Sequence, residues 1–258
     1  MNPSGLEERL CADFMKTCLL LASLLVFCST LARADYSVDF ESGAVWTGAN
    51  DIRIPADTGT LFSLSDDLKS DPTAFFRTRA TYHLGLHHDI SFLFAPLRTE
   101  ADGAFATPVN FAGTAFAAGA PTTARYRFDS YRLTYRYNFI TRDDLTFGLG
   151  ITGKLRDASI QVDQGGLSAR DSNLGFVPLI NFRLNWRFAP KFSFLFEGDA
   201  LVGPSGRAED VLAAIQYHPT EKLALRLGYR VLEGGVDSDT TYSSALFHYL
   251  SAGFTVRF

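Results

Sequence analysis

The chain has 258 residues and a formal net charge of −4, and 14% of its residues are aromatic. This charge balance gives no support to nucleic-acid binding, so no nucleic-acid partner is expected. All three cysteines lie between Cys11 and Cys28. No spacing of His, Cys or acidic residues resembles a metal site, and no glycine loop resembles a phosphate cradle. We therefore expect no cofactor and no metal.

Residues 15–34, MKTCLLLASLLVFCSTLARA, have the layout of a secretory signal peptide. Lys16 precedes an apolar run from Leu19 to Phe27, and small residues end in Ala32-Arg33-Ala34. That ending is a cleavage site of the A-x-A type. The apolar run is too short for a membrane-spanning helix, which takes about 20 residues. The segment predicts export rather than a retained anchor.

The boundaries of this segment follow from its flanks. The residues before Met15 are acidic, which suits a signal peptide poorly, so we predict that translation starts at Met15. Bulky Phe27 stands before Cys28 and argues against a lipoprotein site. We predict a signal peptide over residues 1–34 and a mature domain over residues 35–258, with no cysteine and therefore no disulfide.

The mature chain is predicted to form ten strands. Apolar and polar side chains alternate with a period of two, which is the pattern of a strand with one apolar face. No stretch after Asp35 predicts a membrane-spanning helix. The predicted strands lie at about 36–50, 76–84, 90–94, 131–139, 145–154, 176–187, 192–199, 211–217, 223–229 and 250–258.

The segments between the predicted strands are of two kinds. Short turns at 86–89, 141–144, 189–191 and 218–221 alternate with longer loops near 51–72, 100–124, 157–171, 204–210 and 234–245. Outer-membrane barrels have this layout, with the short turns in the periplasm.

The last eight residues, SAGFTVRF, keep strand alternation to the end. Phe254, Val256 and Phe258 share its apolar face. Because every backbone polar group in a membrane must be paired, a membrane sheet has to close, with its last strand beside its first.

In these features residues 35–258 resemble the small Gram-negative outer-membrane β-barrel proteins. The resemblance implies a transmembrane antiparallel up-and-down β-barrel of about ten strands in the cell outer membrane. It also implies contact with outer-membrane lipids and lipopolysaccharide, and recognition of Phe254, Val256 and Phe258 by the barrel-assembly machinery. The alternative is a secreted β-sandwich, but sandwich strands are shorter and their shared core is apolar, whereas these polar faces carry arginines.

Strand parity predicts that a basic set of side chains faces the lumen. Charges in a narrow interior are costly unless they are paired or hydrated. We favour a network that fills and stiffens the barrel, and the alternative is a narrow passage that prefers anions. The set comprises Asp39, Glu41, Arg77, Arg79, Arg132, Arg136, Lys154, Arg156, Arg183, Arg187, Glu197, Asp199, Arg226 and Arg230.

Two sequence features touch on catalysis. The triplet Asp57-Thr58-Gly59 resembles the aspartic-protease motif, but it occurs once and such enzymes need two carboxylates, so we interpret it as a turn. Glu209-Asp210 is a lone acidic pair, without the paired acids of omptin-like proteases.

The histidines give no catalytic pattern either. His87, His88 and His218 fall in predicted periplasmic turns, whereas His83 faces the lumen. His248 and Ser251 are an odd number of residues apart and therefore point to opposite faces. We predict no catalytic residue.

Two predicted loops differ in character. Residues 110–124 are unusually apolar, which indicates either an interaction site or a loop folded over the barrel mouth. Residues 163–171, DQGGLSARD, indicate a mobile polar loop.

The expected function is that of a non-enzymatic barrel, structural or narrow and porin-like. The alternatives are an outer-membrane enzyme acting on lipid or peptide, and an adhesion or ligand-binding barrel that acts through its extracellular loops.

Overall fold

The computed structural model describes residues 35–203 and 206–258. The predicted signal peptide lies outside the described residues. Within them no helix is long and apolar enough to cross a bilayer.

Fifteen strands make up the secondary structure of the described residues. In chain order they are β1 (Asp35–Arg53), β2 (Phe62–Ser63), β3 (Leu68–Ser70), β4 (Thr73–Leu84), β5 (His88–Ala95), β6 (Arg98–Gly103), β7 (Val109–Phe111), β8 (Thr114–Phe116), β9 (Thr122–Thr141), β10 (Leu145–Gln164), β11 (Leu167–Ala189), β12 (Phe192–Gly203), β13 (Gly206–Thr220), β14 (Leu223–Asp237) and β15 (Tyr242–Arg257).

The long strands form a closed antiparallel barrel of ten strands. Strand β1 pairs with β15 from Ser37 opposite Arg257 to Arg53 opposite Tyr242, so the last strand lies beside the first. The circuit continues through β4, β5 and β9, and β10 pairs with β9 to complete it. Strands β5 and β6 pair with successive parts of β9, so together they occupy one position in the barrel wall. The fold class predicted from strand alternation is confirmed.

Short turns join the strands at the end of the barrel that holds Tyr36 and Phe258, and we assign this end to the periplasm. The predicted long loops are only partly correct. Strands β10 and β11 pair without a break to Gln164 opposite Leu167, so residues 157–171 form a hairpin rather than a mobile loop. Strands β12 and β13 likewise pair up to Gly203 opposite Gly206.

The hairpin turn depends on two glycines. Gly165 and Gly166 both have positive φ, at 53° and 93°, which is the backbone of a type I′ turn and is open to glycine at no steric cost. Hydrogen bonds from Ser168 and Gln161, aided by the charge of Arg125, lower the pKa of Asp163 beside the turn. The tip of the hairpin is therefore held by its own side chains.

Large apolar side chains form a band on the outer face of the barrel. Leu133, Ile151, Phe176 and Leu227 are each more than 60% exposed. Such a continuous apolar surface on a closed barrel is the lipid-facing band of an outer-membrane protein. Near the short turns, the rings of Trp186, Phe188, Phe192 and Tyr217 follow one another at centroid distances of 5.3 to 6.4 Å, as in an interfacial aromatic girdle.

The two long loops fold inward at the opposite, extracellular end. Phe62, Phe105 and Phe111 meet edge to face and are buried. The side chain of Gln164 accepts from the backbone N–H of Ala117 at 2.7 Å and donates to its carbonyl at 3.0 Å, which fixes the second loop to the wall. The apolar segment 110–124 therefore packs into the mouth of the barrel.

Candidate functional site

The interior below this apolar layer is filled by charged side chains, and Asp210 on β13 lies at their centre. Its carboxylate forms ion pairs with Arg77 at 2.8 Å, Arg132 at 2.6 Å and Arg230 at 2.5 Å. All four side chains are nearly inaccessible to solvent. Arg77 comes from β4 and Arg132 from β9, which lie on either side of β13 around the circuit. One carboxylate thus links opposite parts of the barrel wall.

Glu41 and Asp199 extend the network in two directions. Arg230 donates to both oxygens of Glu41 at 2.8 Å, in the bidentate geometry that suits a guanidinium and a carboxylate. Arg132 donates to Asp199 at 2.8 Å, and Asp199 also accepts from Thr152 at 2.7 Å. Each carboxylate therefore has its oxygens satisfied by donors from other strands.

A second set of pairs lies beside this centre. Glu197 accepts from Arg79 at 2.8 Å and from Arg183 at 2.9 Å. Asp39 pairs with Arg226, which also reaches Glu41 at 3.2 Å. Buried ion pairs of this kind lose their hydration on folding, so their oxygens and N–H groups must find partners inside the protein.

The periplasmic end of the interior holds a Ser–His–Asp arrangement. The hydroxyl of Ser37 lies 2.9 Å from Nε2 of His83, and Nδ1 of His83 lies 2.6 Å from Oδ1 of Asp89. In the neutral ring, Nδ1 carries the proton because the Asp89 carboxylate can only accept, and Nε2 is then the acceptor for the Ser37 hydroxyl. The other oxygen of Asp89 accepts from Arg136 at 2.6 Å and Asn138 at 3.0 Å. Three neighbouring strands, β1, β4 and β5, supply the three groups.

Comparison with known proteins agrees with this architecture. No protein-family model and no curated protein matches the sequence. Among solved structures, the outer membrane protease OmpT from Escherichia coli is similar with a TM-score of 0.58 at 9% identity, over 87% of this chain and 97% of that chain. Neisserial surface protein A matches with a TM-score of 0.36 at 16% identity, over 86% of this chain and 97% of that one. The chain has the fold of an outer-membrane β-barrel. At these identities the likeness concerns the fold alone.

Most of the side chains assigned to the lumen by parity meet in this network, but three do not. Arg187 is exposed near the periplasmic turn, where the register with β12 shifts. Arg156 is only partly buried and donates to Asn173 at 2.6 Å. Lys154 is buried over the ring of Phe128 and forms no ion pair with a described carboxylate.

Two acids of the network were missed by the sequence analysis. The sequence pattern places Asp210 in a loop and Asp89 in a turn, so neither is among the predicted lumen residues, whereas both are buried in the interior. Asp210, Leu212, Ala214 and Gln216 are spaced by two residues, and all four are buried. This spacing places Asp210 on the inward face of β13 and indicates that the strand begins before Val211.

The remaining predicted residues have ordinary places. Phe254 packs on Phe40 with a centroid distance of 5.7 Å, and Val256 is opposite Val38. The backbone N–H of Phe258 donates to the carbonyl of Tyr36 at 2.8 Å. Residues 57–59 form part of a turn. His248 donates to or accepts from the hydroxyl of Tyr229 on the outer face, whereas Ser251 is buried.

Proposed function

We propose that the protein is a non-enzymatic outer-membrane barrel with a closed lumen, and that it has a structural role in the envelope. The observation that carries this proposal is the coordination of Asp210 by Arg77, Arg132 and Arg230. The contacts of Arg77 and Arg132 with Asp210 run between distant strands of the barrel, whereas Arg230 lies on the neighbouring strand β14. A ten-stranded barrel is narrow enough for long side chains to fill it in this way.

A porin-like passage for anions is less well supported by the same contacts. Arginines that attract a passing anion need free, hydrated N–H groups, whereas Arg132 and Arg230 are each bound to two carboxylates. The apolar layer formed by Phe62, Phe105 and Phe111 lies over part of the same interior. Both layers oppose continuous water through the barrel.

Planar-bilayer recording of the full-chain barrel tests this proposal. We expect no steady conductance from the native protein and more frequent conducting events from Asp210→Asn. In this variant three guanidinium groups lose the negatively charged carboxylate that they share. Asp144→Asn in an exposed turn is the matched control, since its partner Arg142 is also exposed. Steady anion-selective conductance of the native protein would overturn the closed-lumen proposal.

A second candidate function is favoured by the Ser37–His83–Asp89 arrangement. In serine hydrolases the histidine takes the proton of the serine hydroxyl as the oxygen attacks a carbonyl, and the carboxylate orients the ring and stabilises its charged form. Here too the serine hydroxyl contacts one ring nitrogen of the histidine, and the carboxylate contacts the other. The alternative is therefore an enzyme that cleaves an acyl bond at the periplasmic opening.

A fluorophosphonate probe distinguishes the two candidates. A hydrolase should be labelled, and the label should disappear in Ser37→Ala. Ser193→Ala is a matched control, because Ser193 also contacts a histidine Nε2, that of His218, at 2.8 Å, but no described carboxylate contacts this ring. For a structural barrel we expect no covalent labelling of any of the three proteins.

A further inference from the structure

A cavity of about 550 Å³ lies inside the barrel at its extracellular half. It is enclosed by strands β9 to β15 and by the start of the first long loop at Ile54. Its outer end is formed by the strand tips near Gly203 and Ser238, which are exposed. Its inner end is formed by Lys154, next to the charged network. The volume falls within the range of small-molecule sites in proteins.

Lys154 is the unusual group of this cavity. It is only 2% exposed, and Nζ lies 4.6 Å from the centre of the Phe128 ring. No described carboxylate lies within ion-pair distance of it, and no hydrogen bond to it is found among the described residues. A buried ammonium without a paired anion is costly, and a ring face offsets only part of that cost. The side chain therefore has unused capacity for a negative ligand.

Arg156 adds a second cation to the same cavity. It follows Lys154 on the inward face of β10, and its Nη2 donates to Asn173, which also lines the space. Its Nε is buried without a hydrogen-bond partner. Two cationic side chains with unsatisfied donors thus converge on one end of the cavity.

The acid that lines the cavity is far from these cations. Asp171 is opposite Ile160 in the hairpin, whereas Lys154 is opposite Val177. Six residues of strand separate the two levels, which is about 20 Å. Asp171 therefore lies at the outer end and does not neutralise Lys154.

The other walls of the cavity are largely apolar. Phe128, Ile160 and Leu201 line the space together with Val177, which is opposite Lys154. A ligand that fits both parts needs one negative group for Lys154 and a compact apolar body for these walls. An inorganic anion would leave the apolar walls unfilled, and a neutral hydrocarbon would leave Lys154 unpaired.

We propose that this cavity binds a small organic anion with an apolar body, such as an aryl carboxylate, entering from the extracellular end. Its carboxylate pairs with Lys154 and receives additional hydrogen bonds from Arg156. The network around Asp210 closes the inner end, so the ligand is bound and released on the same side. This inference concerns a binding site and does not depend on whether the barrel conducts.

Calorimetric titration of the full-chain barrel in a non-ionic detergent, with 2-naphthoate as the probe, tests the site. We expect saturable binding of naphthoate and much weaker binding of the uncharged 2-naphthamide. Lys154→Met keeps the apolar stem and removes the charge, so it should weaken naphthoate binding about tenfold or more and leave naphthamide unchanged. Lys191→Met, in an exposed turn, is the matched control and should bind like the native protein.

A second variant keeps the test decisive if Lys154→Met does not fold. Ala158→Trp places a large ring in the cavity without changing either cation, and it should abolish naphthoate binding. Heat-modifiable migration on gels shows that each variant is folded. The proposal is overturned if the native protein does not bind naphthoate, if acid and amide bind equally, or if a folded Lys154→Met or Ala158→Trp binds like the native protein.

Discussion

Arg230 on β14 and Glu41 on β1 form a bidentate pair, with Nε and Nη2 of the arginine each 2.8 Å from a different carboxylate oxygen. The two strands are not neighbours, because β15 lies between them. The pair therefore spans the seam at which the last strand meets the first. The ion pair therefore stabilises the closed barrel in addition to the backbone hydrogen bonds between β15 and β1.

Glu41→Gln should destabilise the barrel strongly. The substitution leaves Arg230 and Arg226 with less compensating charge in a site that excludes water, and breaking a buried pair costs about 3 to 5 kcal/mol. Urea unfolding of the detergent-folded protein measures the change. Glu221→Gln, in an exposed turn, should change the free energy of unfolding by less than about 0.5 kcal/mol. Equal effects of the two variants would contradict a role for Glu41 at the seam.

The extent to which the sequence predicts this network depends on the strand ends. Period-two alternation identifies Glu41, Arg132 and Arg230 as inward residues, because their strands are long and regular. It misses Asp210, since Glu209-Asp210 follows a segment rich in glycine and looks like loop. Strand ends are the least reliable part of any such pattern.

Other features depend on contacts that no local pattern contains. The Gly165-Gly166 pair is a recognisable hairpin signal between alternating residues, so the long β10–β11 hairpin was within reach. The cavity was not, because it exists only where Ile54 from the first loop comes near the tips of β12 to β14. The lack of an ion pair between Lys154 and any described carboxylate likewise depends on which acids lie nearby in space.

Gly253→Ala should weaken the pairing of β1 with β15 through a steric clash. A Cβ at Gly253 would lie 2.5 Å from the carbonyl oxygen of Phe40 and 3.0 Å from Cζ of Arg226. The backbone cannot yield without weakening the β1–β15 ladder, so we expect a loss of about 1 to 3 kcal/mol in unfolding free energy. Gly234→Ala is the control, because its Cβ would lie 3.7 Å from the nearest atom, the carbonyl oxygen of Arg207. An unaffected Gly253→Ala protein would show that the seam tolerates a methyl group.

Processing of the chain should leave Asp35 as its first residue. The Ala32-Arg33-Ala34 sequence has the small residues that signal peptidase accepts. Intact-mass spectrometry of the protein isolated from outer membranes measures the cleavage point. A mass that includes lipidated Cys28 would contradict the prediction.

Phe258→Ala should reduce the amount of inserted barrel. The side chain of Phe258 is 67% exposed at the periplasmic edge, so the substitution removes a lipid-facing aromatic group while the backbone bond to Tyr36 can persist. We expect less heat-modifiable protein in outer-membrane fractions and unchanged export. Leu86→Ala removes an equally exposed apolar side chain from a turn and should insert normally. Insertion of both variants at the native level would show that Phe258 has no part in assembly.

Glu197→Gln separates a filled lumen from a hydrated one. Glu197 is buried and forms ion pairs with Arg79 and Arg183, whose side chains are 15% and 25% exposed. Some water therefore reaches the site, and the loss of unfolding free energy should stay below about 3 kcal/mol. In a filled lumen the substitution lowers the unfolding midpoint and permits brief anion-selective conductance. In an open, hydrated lumen it would leave the midpoint almost unchanged and alter only ion selectivity.

A second substitution at this pair identifies the cause of the loss. Adding Arg183→Met to Glu197→Gln removes one of the two guanidinium groups left without its carboxylate, so the double variant should recover part of the lost stability. Glu100→Gln is the control, because Glu100 and its partner Arg125 are both more than half exposed, and such pairs contribute little. If the double variant is less stable than Glu197→Gln alone, the unpaired charge is not the cause, and the packing of Arg183 in the lumen is what the barrel requires.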